Sequence, residues 1–322
     1  MQTSTLNFEK IIEQKLAELS LAKSPIELYE PIRYILTLGG KRLRPQLIFI
    51  ANSLFEENVE DCANAALAVE LFHNFTLIHD DIMDNAPLRR GKTTVHEKWN
   101  ANTGILSGDA MLVIAFAQIN KIKSTRIREI YDVFNTTAVG VCEGQQLDMD
   151  YAKMDSVDMD QYIEMITLKT SVLLAASLEA GAIIGGASEN NCRQLYEFGK
   201  KIGIAFQIQD DYLDAFGDAA IFGKEAGGDI KQNKKTFLLL HALEVANEEQ
   251  KARLEALLKT NSEDKVEKVL EIFKACGVDA WAEDLKAKYL KEAFEHLEAI
   301  AVVSNRKQPL IELANYLMNR NQ

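Results

Sequence analysis

Proline is scarce in this chain, five among 322 residues, and no run of alternating Val, Ile and Thr stands out. These absences argue against a sheet-built fold and leave an all-α one. Cysteines are few and scattered: Cys62, Cys142, Cys192 and Cys276 sit too far apart in sequence for a metal knuckle or a redox pair. With no apolar signal segment between Met1 and Lys15, such thiols fit a reducing cytosol, so a cytoplasmic location is expected. No apolar run is long enough to span a bilayer, and the longest, Val172 to Gly186, carries Glu179. Basic residues are outnumbered, 36 Lys and Arg against 48 Asp and Glu, and the net charge of −12 argues against a nucleic-acid partner. Internal repeats, low-complexity tracts and linkers are missing too, so the chain reads as one domain, 1–322.

Apolar residues make up 47% of the chain, enough for a sizeable core. Acid is concentrated in two places. Leu77-Ile78-His79-Asp80-Asp81-Ile82-Met83-Asp84 and Phe206-Gln207-Ile208-Gln209-Asp210-Asp211-Tyr212-Leu213-Asp214 both spell Asp-Asp-x-x-Asp. Each closes a long apolar stretch that reads as a helix. On a helix, residues i and i+4 share a face, so Asp80 lies one turn from Asp84 and Asp210 one turn from Asp214. Like charges at that spacing repel. If the two motifs face each other, six carboxylates converge and need cations. An all-oxygen set suits a hard divalent ion, and Mg2+ takes a few carboxylates plus substrate phosphates. The bland alternative, a solvated acidic face, weakens once the motif occurs twice, each time with basic residues following.

Those basic residues run against the acidic background. Gly39-Gly40-Lys41-Arg42-Leu43-Arg44-Pro45 ends a helix and sets three cations beside backbone N–H groups, a combination that suits an oxyanion. Pro87 breaks the chain after the first motif, and Arg89, Arg90 and Lys92 surround Gly91. An acidic motif and an Arg fork in one short stretch fit a metal-bound polyphosphate. Lys169-Thr170 stands amid apolar residues, where a Lys needs a carboxylate or a diphosphate. Phe222 to Asp229 is Gly-rich and contains Lys224, with Lys234-Lys235-Thr236 after it.

The remaining pattern is helical. Helices are expected over Leu6–Leu19, Glu60–Met83, Thr103–Ile119 (buried), Tyr131–Met149, Tyr162–Gly186 and Leu195–Phe216, with an acidic loop at Asp155–Asp160. Glu248–Lys274 reads as a solvated helical pair and Asn305–Asn319 as a final helix. Gly144 within a helix points to close packing or a close ligand, since Gly costs about 1 kcal/mol there against Ala. His73 and His79 lie on the helix of the first motif, where a lone His is more often a satisfied core residue than a ligand.

Together these residues resemble the trans-prenyl diphosphate synthases, the family of farnesyl and geranylgeranyl diphosphate synthases. The resemblance runs from about Gly39 to Thr236 in the family's order. It rests on Gly39 to Pro45, on Asp80 to Asp84 with Arg89-Arg90-Gly91, on Gly108-Asp109, on Gly144-Gln145 with Asp148, on Lys169-Thr170, on Phe206-Gln207 with Asp210, Asp211 and Asp214, and on Gly223-Lys224, Asp229 and Lys234. Asn233 departs from the Gly that many members carry before the lysine. The two-residue insertion in the first motif of many bacterial farnesyl synthases is missing.

The resemblance implies the isoprenoid synthase fold, a single-domain helical bundle of roughly a dozen helices around a deep central cavity, usually a homodimer. It implies a polyprenyl synthetase domain over 1–322 and Mg2+-dependent head-to-tail condensation of isopentenyl diphosphate with an allylic diphosphate (dimethylallyl, geranyl or farnesyl). Lys41, Arg44, His73 and Arg90 are then expected to hold isopentenyl diphosphate. Arg89, Lys169, Thr170, Gln207, Lys224 and Lys234 are expected on the allylic diphosphate. Asp80, Asp84 and Asp210 are the expected Mg2+ ligands and, with Lys169, the expected catalytic groups; Asp81, Asp148, Asp211 and Asp214 support them. An aromatic residue five before the first motif resembles the floor of a short-chain cavity, which nominates Phe75, backed by Phe72, for geranylgeranyl or farnesyl product. Two rivals share parts of this pattern. A terpene cyclase usually lacks the second Asp-Asp-x-x-Asp, and a non-catalytic subunit of a heteromeric synthase tends to lose acidic motifs; both motifs are intact here.

Overall fold

The helix that carries the first acidic motif starts at Asn58, whose side-chain oxygen accepts the backbone N–H of Asp61 at 3.2 Å. Glu60 and Asp61 fill the first turn, where negative charge matches the helix dipole. The computed structural model describes residues 2–217, 227–260 and 262–318, with the side chains of the first helix from Phe8 on. Its helices are α1 (Gln2–Ala17), α2 (Ile26–Thr37), α3 (Leu43–Ser53), α4 (Val59–Met83), α5 (Val95–Lys98), α6 (Ala101–Ile119), α7 (Ile127–Lys153), α8 (Met159–Ile166), α9 (Val172–Ile184) and α10 (Glu189–Phe216). There follow α11 (Gly228–Lys231), α12 (Phe237–Val245), α13 (Glu248–Leu258), α14 (Lys265–Ala275), α15 (Val278–Glu298) and α16 (Ser304–Met318). The all-α expectation holds, and the chain forms two compact units.

The first unit is Met1–Ala138, Ala176–Tyr196 and Ile300–Pro309. Its core is α4, packed chiefly on α6 and α3, with Ile48, Ile50, Leu71, Phe72 and Ile78 almost fully buried. The one sheet among the described residues is here, a pair of two-residue strands, β1 (Leu88–Arg89) and β2 (Lys92–Thr93), with Leu88 opposite Thr93 and Arg89 opposite Lys92. Two residues per strand are too few to show period-2 alternation in sequence, so the hairpin was not expected. The expected burial of α6 is also corrected. Ile105, Leu106 and Val113 are 43%, 61% and 68% exposed, because α6 covers α4 with one face only.

The second unit is Val139–Ala175, Glu197–Ala299 and Leu310–Gln322. Tyr162, Phe237, Phe273, Leu254 and Val278 anchor its core. Asp158 closes the expected acidic loop by capping α8: it accepts from Gln161 N at 2.8 Å, and Gln161 Oε1 accepts from Asp158 N at 3.0 Å. The single helix expected from Tyr162 to Gly186 is instead α8 and α9 joined by a π-helical turn, Thr167–Ser171. By length and composition 101–119 and 159–184 could each cross a membrane, but 72% of the second's apolar window is buried inside the protein, as in a core helix.

Candidate active site

Arg90 and Gly91 form the two-residue turn between β1 and β2, both left-handed, with φ of 53° and 71°. That is the sign pattern of a type I′ turn, whose twist suits a tight hairpin. The turn aims Arg90 at the Gly39-Gly40 pair. The Arg90 guanidinium donates to the carbonyl of Gly39. Gly40, at φ 134°, adopts a backbone open to glycine, and a Cβ there would lie 2.8 Å from the guanidinium carbon. Two motifs 51 residues apart in sequence thus meet in space.

The three cations of the Lys41 to Arg44 segment have separate fates. Lys41 is exposed. Arg42 turns inward and is 4% exposed; it pairs with Glu70 at 2.6 Å and Glu13 at 2.8 Å, and donates to the carbonyl of Leu36. Burial opposes its charge, but Glu70 and Glu13 outweigh it and raise its pKa. Asn74 Nδ2 also donates to Glu70, at 2.8 Å. Arg44 Nη1 lies 3.2 Å from His73 Nε2. Burial, with Arg90 beside it, lowers the Arg44 pKa to about 10. Burial and then Arg44, Arg90, Arg89 and Arg42 push His73 well below its ordinary value, so the imidazole is neutral and Arg44 donates to it. Among the described residues neither Arg44 nor Arg90 makes an ion pair, and Arg44 Nε is buried without a hydrogen-bond partner.

The first acidic motif closes α4. Asp80 and Asp81 occupy its last turn and Asp84 is its C-cap, the end at which the helix dipole disfavours negative charge. Arg89 answers part of that charge: its Nε and Nη2 donate to Asp81 Oδ1 at 2.9 and 2.5 Å, and Nη2 reaches Asp80 Oδ2 at 3.2 Å. Asp81 is 1% exposed, and burial raises its pKa despite Arg89. Asp84 is exposed. Behind the motif, the rings of Phe75 and Phe72 lie 5.6 Å apart, and Phe72 meets Phe134 at 5.6 Å.

In the second unit Lys169 projects from the π turn and pairs with Asp148 of α7 at 2.5 Å. Gly144, one turn before Asp148, is where α7 meets that turn: a Cβ there would lie 2.7 Å from Lys169 Cα. Close helix packing is therefore the reason for this glycine. Thr170 follows in the same turn, half-buried.

The second motif lies in the last two turns of α10, again at a helix C-terminus. Gln207, Asp210 and Asp214 are half-buried and share one stripe. Asp211 turns inward, 3% exposed. Tyr162 donates its hydroxyl to Asp211 Oδ2, and Gln207 Nε2 donates to Oδ1 at 2.8 Å. Burial pushes the Asp211 carboxyl up to about 6, against the pull of Lys234 and the two donors. Asp214 Oδ2 accepts the backbone N–H of Asp229 at 2.9 Å, at the start of α11. Lys234 lies 3.6 Å from Asp229; burial opposes its charge, but Asp211, Asp229 and Asp148 raise its pKa. Lys224 falls outside the described residues.

The Asn233 departure has a physical basis. Asn233 has φ 57°, left-handed backbone that Gly adopts freely and Asn more readily than most residues. Its side chain adds what Gly lacks, an acceptor for Lys265 Nζ at 2.6 Å. Sequence reasoning missed Glu70, Asn74 and Tyr162. Glu70 and Asn74 sit four apart on α4 facing Arg42, a polar pair inside an apolar helix that was readable as a signal. Tyr162 gave none.

A Polyprenyl synthetase family model matches residues 25–276. The chain is 36% identical to the short chain isoprenyl diphosphate synthase of Methanothermobacter thermautotrophicus over 97% of its own length and 96% of that protein's. It is 36% identical to the geranylgeranyl diphosphate synthase of Methanosarcina mazei, covering 96% and 94%. A solved geranylgeranyl pyrophosphate synthetase from Pyrococcus horikoshii superposes with a TM-score of 0.92 at 33% identity, covering 99% of this chain and 98% of that one.

Proposed function

Because the chain belongs to the polyprenyl synthetase family and is a short-chain trans-prenyl diphosphate synthase, we propose that it condenses isopentenyl diphosphate with an allylic diphosphate to give geranylgeranyl diphosphate. The observation that carries the substrate assignment is a charge imbalance. Of the four arginines beside His73, Arg42 and Arg89 have carboxylate partners, whereas Arg44 and Arg90 make no ion pair among the described residues. Two converging guanidinium groups without a counter-ion fit a diphosphate. With Lys41 and neutral His73 they hold isopentenyl diphosphate.

Arg89, Lys169, Thr170, Gln207, Lys224 and Lys234 hold the allylic diphosphate. Asp80, Asp84 and Asp210 are the Mg2+ ligands. The donor set fits that ion: it is all carboxylate oxygen, and both motifs stand at helix C-termini, where a cation relieves the charge. Bound there, Mg2+ supplies positive charge against the negative charge that grows on the leaving diphosphate. Lys169 and Lys234 supply fixed charge to the same end, each held by a carboxylate, Asp148 or Asp229. The allylic carbon–oxygen bond breaks with its electrons on the diphosphate, the isopentenyl double bond attacks the carbon, and the proton it loses goes to the released diphosphate. Asp81, Asp211 and Asp214 keep the two motifs in place through Arg89, Tyr162 and the Asp229 backbone. Phe75, with Phe72 behind it, is the floor that ends chain growth.

The whole chain works as one polyprenyl synthetase domain, paired with a second copy through the exposed apolar residues of α6, Ile105, Leu106 and Val113. Its four free thiols suit the cytoplasm. The test is to incubate the purified chain with isopentenyl diphosphate and each allylic diphosphate, with and without Mg2+, and to read product length by mass. A twenty-carbon product that requires metal is expected. Undiminished turnover after chelation sinks the metal assignment, and sedimentation as a single 36.1 kDa chain sinks the dimer.

A further inference from the structure

Gly108 and Asp109 recur with the family's motifs yet take no part in the binding assigned above. Gly108 lies on α6 directly against His79 of α4. A Cβ there would come within 2.6 Å of His79 Cδ2 and nearer still to Nε2, so only glycine leaves room for the imidazole. The ring is held from two further sides. Its Nε2 lies 3.2 Å from the carbonyl of Ile105, an acceptor that requires the proton on that nitrogen, with Asp109 Oδ1 3.9 Å away. Its other neighbour is Phe75, the two ring centroids being 4.7 Å apart and the planes inclined at 67°.

Phe75 needs such a neighbour. The half-open positions of α4 before its end are His73, Thr76, Leu77, His79 and Asp80. His73, Thr76, Leu77 and Asp80 form one stripe, along which a tail from a diphosphate at Asp80 would run. Phe75 precedes Asp80 by five residues, about 140° round the helix at 3.6 residues per turn. Helix position alone therefore does not turn Phe75 towards that stripe, so as the floor it has to reach the tail through the tilt of its ring. The tilt is set by what touches it: Phe72 at 5.6 Å and His79 at 4.7 Å.

We propose that His79 is a positioning residue for product length: seated in the space that Gly108 leaves, it props the Phe75 ring in the attitude that closes the path of the allylic tail. The proposal rests on Phe75 being the floor. It gives Gly108 a task, which is to admit the prop.

Product length, read by mass at one substrate ratio, is compared for wild type, Phe75→Ala, His79→Ala, Gly108→Ala and the double variant Phe75→Ala/His79→Ala. His79→Ala and Gly108→Ala are expected to move the majority of product up by about one five-carbon unit, as Phe75→Ala does. The double variant is expected to match Phe75→Ala alone, since a prop acts only through the ring it holds. One change leaves a void and the other creates a clash, so agreement between them does not come from a shared folding defect. Mg2+ dependence is read on His79→Ala; a shift there would trace the effect to neighbouring Asp80 and overturn the prop. If Phe75→Ala lengthens the product while folded His79→Ala and Gly108→Ala keep the wild-type distribution, the prop falls and the floor stands. If Phe75→Ala also leaves the product unchanged, both fall. Additive lengthening in the double variant likewise overturns the prop.

Discussion

In the first acidic motif the middle carboxylate, Asp81, is bound by a cation, Arg89; in the second, the same position, Asp211, is bound by two neutral donors, Tyr162 and Gln207. Both carboxylates are buried, at 1% and 3% exposure, and burial raises the pKa of both. Identical spelling thus conceals two solutions to one problem. The outer residues, Asp80 with Asp84 and Asp210 with Asp214, share a face, and the inner one must go into the protein with a partner. In the first unit that partner is a member of the Arg89-Arg90 pair. In the second it is a tyrosine of the core. In the proposed site the motif thus divides into outer residues that meet the ligand and an inner residue that anchors, and the two should respond differently to mutation.

The largest effect should come from the outer residues. Asp80→Ala and Asp210→Ala are expected to cut turnover by roughly three orders of magnitude or more, about 4 kcal/mol of transition-state stabilisation, while circular dichroism and the unfolding midpoint stay near wild type. A large loss from only one of the two would mean that the motifs do not act together. The inner residues sharpen the contrast. Asp81→Asn leaves the Arg89 charge with Asp80 alone and is expected to cost about 1–3 kcal/mol in urea unfolding. Asp211→Asn removes a charge whose hydrogen-bond donors, Tyr162 and Gln207, are neutral, and Lys234 keeps Asp229 at 3.6 Å, so the cost should be smaller, about 1 kcal/mol. Equal losses would erase the distinction between the two anchors.

The smallest effect concerns pH. Glu179 of α9 is pushed up to about 7 by burial and by Glu129, with Arg126 and Cys192 nearby. Unfolded, it titrates near 4.5. Since its folded pKa is the higher, its contribution to stability is present below about 4.5 and fades as pH rises through about 7. Glu179→Gln removes that slope; fully shielded, the shift would be worth about 3 kcal/mol, and solvent at this half-buried side chain screens it, so the variant should gain on wild type by about 1–2 kcal/mol between acid and neutral pH. Parallel stability curves for the two proteins would show that Glu179 titrates normally.

Much of this was legible in the sequence because it was local. The acidic motifs, the Gly39-Gly40 break and the helices around them follow from spacing within a few residues, where period and punctuation operate. What stayed hidden was pairing at a distance. Nothing near Arg42 announces that it serves Glu70 while Arg44, two residues on, goes to His73. Tyr162 read as one more apolar residue of a helix, yet it anchors Asp211. The hairpin escaped because two residues cannot display a period, and the π turn because the composition around it stays helical throughout.

That π turn has a consequence for comparing this chain with others. A π-helical turn is an α-helix carrying one surplus residue. Beyond Thr167–Ser171 every position is therefore rotated by about 100° from where the pattern of α8 would put it. A relative that lost one residue here would keep an unbroken helix and nearly the same hydropathy, yet its lysine would point elsewhere. A single-position gap beside Lys169, the least conspicuous of changes in an alignment, is thus a marker by which members whose lysine no longer faces the Asp148 position can be told from those that keep the pair.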